Sequence, residues 1–429
     1  MPALKTRKDA SMTARFIPLL ALSLLGLAAG STIALAAADE KLKAAAEQEK
    51  APLIETLHDM VMIESGSDDA EGLKKMADFT EARLKALGAT IERRKTTAGT
   101  GADMVIATFQ STGSRKLMLI AHMDTVYQRG ILGSEPYRVD GNRIYGPGIA
   151  DDKGGIAVVL HALKILKDAG WQDYARLTVS FNPDEEVGSI GSGEIIAELA
   201  DQHDVVLSCE PTVAAPIAKN DGLLLGASGT ATAKMEVKGR ASHAGAAPDL
   251  GRNALIELAH QLQQTKDVAK SIPGTQLNWT TAQAGTVRNQ IPERAEAGAD
   301  IRLTIPDGIA KLQAALDAKV KDKFVPDTET TVTITAGRPP FVASDRGRAL
   351  AQEGQAIYAE IDRKLDIAEM TGGATDAGYA NRSGKAVVVE SFGLAGFGYH
   401  ARDEFIDINS IVPRLYLMSR ILIEQGKKK

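Results

Sequence analysis

Residues 145–155, YGPGIADDKGG, wrap glycines and a proline around two adjacent acids, Asp151 and Asp152. Glycine permits sharp turns and close backbone approach, and the apolar run that follows, 156–166, has the character of a buried helix. A carboxylate is therefore held on a tight turn immediately before a packed helix, which suits a metal site better than a solvated loop. Taken alone, an acidic, glycine-rich turn is ordinary turn chemistry. Its weight comes from the other acids and imidazoles of the chain: His122 and Asp124, Asp184-Glu185-Glu186, Glu210 beside Cys209, and His400. Carboxylate oxygens together with imidazole nitrogens suit zinc and neighbouring first-row metals.

Hydrophobic patterning says where those residues fall. Strands are expected at 104–109, 117–121, 177–181, 205–208 and 387–390, and helices at 40–62, 73–87, 155–169, 195–199, 349–361 and 411–423. Strands alternating with helices imply an α/β layer, a mostly parallel mixed sheet flanked by helices. The 117–121 strand is apolar at every position, as a strand covered on both faces should be. In such sheets functional residues collect beyond the carboxyl ends of the strands, where His122, Glu185, Glu186 and Glu210 lie.

The pattern changes after Gly226. Residues 230–238 alternate apolar and polar, a helix is expected at 253–264, strands at 277–284 and 295–303, a helix at 309–320 and a strand at 331–335. The order β-α-β-β-α-β is that of a ferredoxin-like unit. It reads as a second α+β domain inserted into the first, which gives a catalytic domain at 39–225 and 338–429 and an insert at 226–337.

A chain of 429 residues, 44% hydrophobic, is long enough for two such domains. An aromatic content of 4% and a net charge of −5 argue against a nucleic-acid surface. Lys5, Arg7, Lys8 and Arg15 precede an apolar run at 16–29 and small residues at Ala34, Ala36, Ala37 and Ala38. This is the layout of a secretory signal peptide, residues 1–38, so the chain is expected to be exported, periplasmic or secreted. No later segment is long and apolar enough for a stable membrane span. The single cysteine, Cys209, excludes an intrachain disulfide and reads as a small buried residue.

His122, Asp151, Glu186, Glu210 and His400 make three acids and two imidazoles, a donor set for two metals that share one acid. Glu185 is then left beside a ligand as a general base, and Asp124 is spaced to hold the His122 ring through its other nitrogen. His58, His161, His203 and His260 lie in or beside helices and read as structural or exposed.

The motifs AHMDTV (121–126), YGPGIADDKGG, NPDEEVGS (182–189), LSCEPT (207–212), GRASHAG (239–245), AGTVRNQIPERA (284–295), GRPPF (337–341), TGGATDAGYA (371–380) and GFGYHARDEF (396–405) resemble the M20 family of metallopeptidases, and most closely its glutamate carboxypeptidase branch. The resemblance implies a hydrolase with two Zn2+ per subunit (Co2+ or Mn2+ as substitutes) and an inserted lid that also makes a homodimer. It implies Asp151 as the bridging ligand, His122 and Glu210 on one metal, Glu186 and His400 on the other, and Glu185 as the base. It implies that His243, in the lid, reaches the active site of the partner subunit and stabilises the oxyanion. Asn289 and Arg338 would hold the substrate's terminal carboxylate in a pocket that Gly372 and Gly373 line, with Arg302 supporting the lid. The expected reaction releases a C-terminal amino acid, glutamate first, from N-acyl or peptide, folate-like substrates. Other M20 amidohydrolases (aminoacylases, dipeptidases) and a non-catalytic binding protein are the alternatives. One position departs from the pattern: glutamate-selective relatives can place a lysine where this chain has Gly222, and Lys219 is the nearby substitute.

Overall fold

The computed structural model describes residues 37–99 and 101–428. The expected signal peptide lies outside these residues, apart from its last two. No helix among the described residues is long and apolar enough to cross a membrane.

A six-stranded sheet carries the first domain. Its spatial order is Thr90–Lys95, Asp103–Gln110, Arg176–Asn182, Lys116–His122, Val205–Ser208 and Val387–Val389. The last four strands run parallel, and Asp103–Gln110 is antiparallel to both of its neighbours. The sheet is therefore mixed, with the parallel half carrying the candidate site. Periodicity gave no warning of the Thr90–Lys95 strand. Its sequence, TIERRK, has one large apolar residue, and it is held by edge pairing to Asp103–Gln110 rather than by burial.

The continuously apolar Lys116–His122 strand is covered on both faces, as expected. Leu117 and Leu119 face a core shared with the helices Glu40–Val61, Lys153–Asp168 and Ile411–Lys427, where Leu53, Leu57, Val158, Leu415 and Met418 are fully buried. Met118 and Ile120 face a second cluster with Ile196 of helix Gly193–Ala200 and Phe341. The helix Ala70–Leu87 ends where its sequence says it should, at Gly88 with φ 103°.

A second sheet was invisible to periodicity because its strands are two or three residues long. Its order is Arg138–Asp140, Arg143–Tyr145, Phe405–Asp407, Ala395–Phe397 and Thr212–Val213. It joins the chain just before the 145–155 stretch, both flanks of the His400 loop and the segment after Glu210.

The inserted unit has the expected connectivity. Strands Gly229–Lys238, Thr275–Ala284, Arg294–Leu303 and Glu329–Ala336 form one antiparallel sheet in the spatial order second, third, first, fourth. Helices Ala254–Thr265 and Gly308–Lys319 close a separate core around Met235, Leu258, Ile301, Leu312 and Leu316. The chain leaves and re-enters the first domain through the paired strands Gly226–Ala227 and Phe341–Val342.

Candidate metal centre

The parallel strands deliver their acids and imidazole to one edge of the sheet. His122 ends its strand, Glu185 and Glu186 follow Arg176–Asn182, and Glu210 follows Val205–Ser208. Asp151 arrives from the glycine-rich turn. At Gly148 (φ 71°) a Cβ would lie 2.4 Å from the Thr125 methyl. At Gly155 a Cβ would lie 2.2 Å from the Cys209 carbonyl oxygen, so only glycine lets the helix start pack against the chain that carries Glu210. The Asp151–Asp152 peptide is cis.

The two adjacent acids part company. Asp152, fully buried, faces the helix: its carboxylate accepts from Gly155 N at 3.1 Å and from His122 N at 3.4 Å. Asp151 faces the cluster. Its Oδ1 is 3.0 Å from His122 Nε2 and its Oδ2 is 3.3 Å from His400 Nε2. A second acid stands beside each imidazole, Glu210 Oε1 at 3.7 Å from His122 Nε2 and Glu186 Oε2 at 2.9 Å from His400 Nε2. One donor atom each from His122, Asp151 and Glu186 lie within 4.8 Å of one another, and so do those of His122, Glu185 and Glu210.

These residues fit a metal pair. Ligands at about 2.0–2.2 Å from one tetrahedral ion sit roughly 3–4 Å apart, the spacing found here. The charge balance points the same way. Burial pushes the carboxyl groups of Glu185, Glu186 and Glu210 above their usual range. Burial works against Asp151 too, but hydrogen bonds from His122 and His400 outweigh it and hold its pKa low. Burial lowers the His122 pKa, yet Glu210, Asp124 and Asp151 outweigh it and raise that pKa well above the ordinary value. Hydrogen bonds to Asp151 and Glu186 push His400 up to about 10. Crowded buried acids that draw protons onto themselves and their imidazoles are a site short of positive charge.

Neighbouring groups fix these side chains. Asp124, fully buried, has its backbone oxygen 3.0 Å and its Oδ1 3.3 Å from His122 Nδ1. Its carboxylate also accepts from the Glu185 and Glu186 amides, each at 3.0 Å. Two further acids were not singled out from the sequence. Glu404 accepts from the Gly148, Ala150 and Asp151 amides at 2.8, 2.8 and 3.0 Å, tying the turn that bears Asp151 to the loop that bears His400. Glu390 accepts from Thr375 Oγ1 at 2.8 Å and from the Glu210 amide at 3.3 Å. Glu404 lies inside the quoted GFGYHARDEF stretch, so its signal was present without an assigned role. Cys209 is buried with its thiol pushed up by burial, which fits the structural reading.

A cavity of about 900 Å³ opens beside the cluster, lined by Glu185, Glu186, Glu210 and His400, by Thr230 and Arg302 of the insert, and by Gly222, Arg338, Met370 and Gly373. Gly372 is the exposed chain neighbour of Gly373. Arg338 is turned onto protein: Nη1 pairs with the Glu185 carboxylate at 2.6 Å, and the guanidinium also donates to the carbonyls of Glu185 and Ala374. Arg302, read from the sequence as a support, opens onto the cavity while donating to Asp300 at 3.0 Å. Lys219 lines a different cavity, with Asp221 and Arg363. His243 and Asn289 sit together on a short exposed ribbon of the insert, where the Ala244 amide donates to the Asn289 carbonyl at 2.9 Å. Neither is among the residues lining the cavity within this subunit.

Known proteins resemble this chain in sequence and in fold. The profile of peptidase family M20/M25/M40 matches residues 118–424. Carboxypeptidase G2 of Pseudomonas sp. (strain RS-16) is 44% identical over 91% of this chain and 93% of its own. Among solved structures, a tripeptidase from Staphylococcus aureus superposes with a TM-score of 0.71 at 21% identity, covering 88% of this chain and 99% of its own. An M20 family metallo-carboxypeptidase from Sulfolobus solfataricus does so with a TM-score of 0.67 at 17% identity, covering 87% and 99%. At such identities the structures speak for the fold, and the sequence match speaks for descent. The chain belongs to the M20 peptidase family and is a metallohydrolase.

Proposed function

We propose that the chain is an exported exopeptidase that holds two zinc ions, with cobalt or manganese as substitutes. It hydrolyses an amide to release a C-terminal amino acid, glutamate first, from N-acyl or peptide, folate-like substrates. His122 and Glu210 would hold one ion, Glu186 and His400 the other, with Asp151 available to both. When bound, the pair supplies Lewis acidity for the scissile carbonyl and lowers the pKa of water. The observation that carries the reading is Asp151, a buried carboxylate whose two oxygens face different imidazoles, each with its own second acid.

The chain's own groups do the rest. Glu185 takes the proton of the attacking water and hands it to the leaving amine. Asp124 keeps the His122 ring oriented. The substrate's terminal carboxylate competes with Glu185 for the Arg338 fork, a bidentate match, so substrate binding frees the base. Gly372 and Gly373 let the backbone approach that carboxylate. In a homodimer, His243 and Asn289 on their exposed ribbon serve the partner's site, His243 as an oxyanion donor and Asn289 on the carboxylate. Glutamate as the first choice draws on the similarity to carboxypeptidase G2, and Gly222 leaves the side-chain carboxylate to other cations of the cavity.

The test is product release by metal-loaded protein from N-acyl glutamate, aspartate, leucine, alanine and arginine, with and without chelator. Chelator-sensitive release of glutamate above the others is expected. Preference for a neutral residue would keep the mechanism but make the enzyme an aminoacylase or dipeptidase. Stoichiometric binding with no product would replace the enzyme with a binding protein.

A further inference from the structure

Tyr399 stands immediately before His400 and lines the 900 Å³ cavity with it. The backbone is left-handed at Gly398 (φ 85°) and at His400 (φ 58°), so the chain bends sharply on both sides of this residue. The half-buried Tyr399 ring is gripped edge to face by its neighbours. Its centroid is 5.9 Å from that of Phe397 and 6.2 Å from that of His400. Burial, and then the charges of Asp151, Glu210 and Glu404, act on its hydroxyl. Those are two candidate ligands and the acid that ties their turn to this loop, rather than the arginines set for the substrate's carboxylate.

That hydroxyl is uncommitted. Tyr127 and Tyr379, on the flanks of the site, donate to the carbonyls of Ala401 at 3.0 Å and Gly188 at 3.3 Å. Tyr399 makes no hydrogen bond among the described residues. A phenol carries its proton at neutral pH, and an enclosed one normally finds an acceptor for it. What enters the cavity supplies that acceptor. We propose that Tyr399 is a further catalytic residue, whose hydroxyl donates to the oxygen of the scissile carbonyl as that oxygen gains charge. The water oxygen bonds to the carbonyl carbon while Glu185 takes a water proton, and the π pair of the C=O bond moves onto its oxygen. Tyr399 donates a hydrogen bond to that oxygen and keeps its own proton. The pair then returns, the C–N bond breaks, and Glu185 hands its proton to the departing nitrogen. Tyr399 belongs to the same subunit as the cluster, so this donor is in place without a partner, unlike His243. The role rests on the exopeptidase reading above and adds a donor to it.

The experiment compares metal-loaded wild type with Tyr399→Phe, which keeps the ring and removes only the hydroxyl. It measures kcat and KM on N-benzoyl-L-glutamate and N-benzoyl-L-leucine. Titration calorimetry gives Kd for the N-(phenylphosphonyl) analogue of each, whose tetrahedral phosphorus carries charged oxygens, and for the free amino acids. In the variant kcat should fall by about 10²-fold with KM unchanged, as for loss of one oxyanion donor. The tetrahedral analogues should bind about tenfold more weakly, the scale of one hydrogen bond to a charged group, while the free amino acids bind as before. Metal content and thermal melt should match the wild type. An unchanged kcat overturns the role. So does a rise in KM alone, which would assign the hydroxyl to substrate binding, and so does a fall in kcat that comes with lost metal or without weaker analogue binding. All of these leave the exopeptidase standing. If the wild type releases neither amino acid, the exopeptidase reading fails and the role of Tyr399 fails with it.

Discussion

Glu185 and Arg338 form a buried pair at 2.6 Å, and the roles proposed for them belong to different parts of the reaction. The base must take a proton from water, and the arginine must hold a carboxylate. Replacing Glu185 with Gln keeps the size and most hydrogen bonds but removes the proton acceptor. Turnover should fall by about 10²–10⁴-fold, with the metal content by elemental analysis unchanged. Comparable turnover in the variant would assign the proton transfer to another group. At this scale the sequence was informative about residue types and less so about partners. Adjacent acids such as Asp151 and Asp152 are chemically alike in a string of letters, and only the backbone path decides that one faces the cluster and the other caps a helix.

Short elements decide how rigidly the site is held. The turn before helix Lys153–Asp168 and the loop of His400 share no regular periodicity, yet Glu404 binds them with three backbone hydrogen bonds. Glu404→Gln replaces one acceptor oxygen with an NH2 group facing backbone N–H donors. That should cost about 1–3 kcal/mol of stability, read by urea denaturation, and should lower the chelator concentration needed to inactivate the enzyme. An unchanged midpoint and unchanged chelator resistance would show that the turn is held by its neighbours alone. The long strands and helices were legible because burial imposes a period on them. The two- and three-residue strands that flank His400 were not, since so short a stretch has no period to read and is stabilised by pairing with distant segments.

For the molecule as a whole, acid should be destabilising through groups remote from the site. His203 is buried against Thr178 and the Leu199 carbonyl, and burial lowers its pKa from 6.5 to about 4. The unfolded chain therefore holds this proton more tightly than the folded one. Its contribution is intact above roughly pH 6.5 and is lost as the pH falls toward 4, at a cost of about 3 kcal/mol. His161, also buried, moves in the same direction. In metal-free protein, His203→Gln should flatten part of the loss of stability between pH 7 and pH 4 in urea denaturation; an identical slope would show that His203 stays neutral in both states. The alternation of strand and helix, the inserted β-α-β-β-α-β unit and the identity of the metal-type donors were determined by sequence alone, because solvent exclusion and side-chain chemistry act residue by residue. The capture of Glu185 by Arg338 and the seating of His243 on an exposed ribbon were decided only in the tertiary structure. Those depend on which distant segments the folded backbone brings within hydrogen-bonding distance, and no local pattern encodes that.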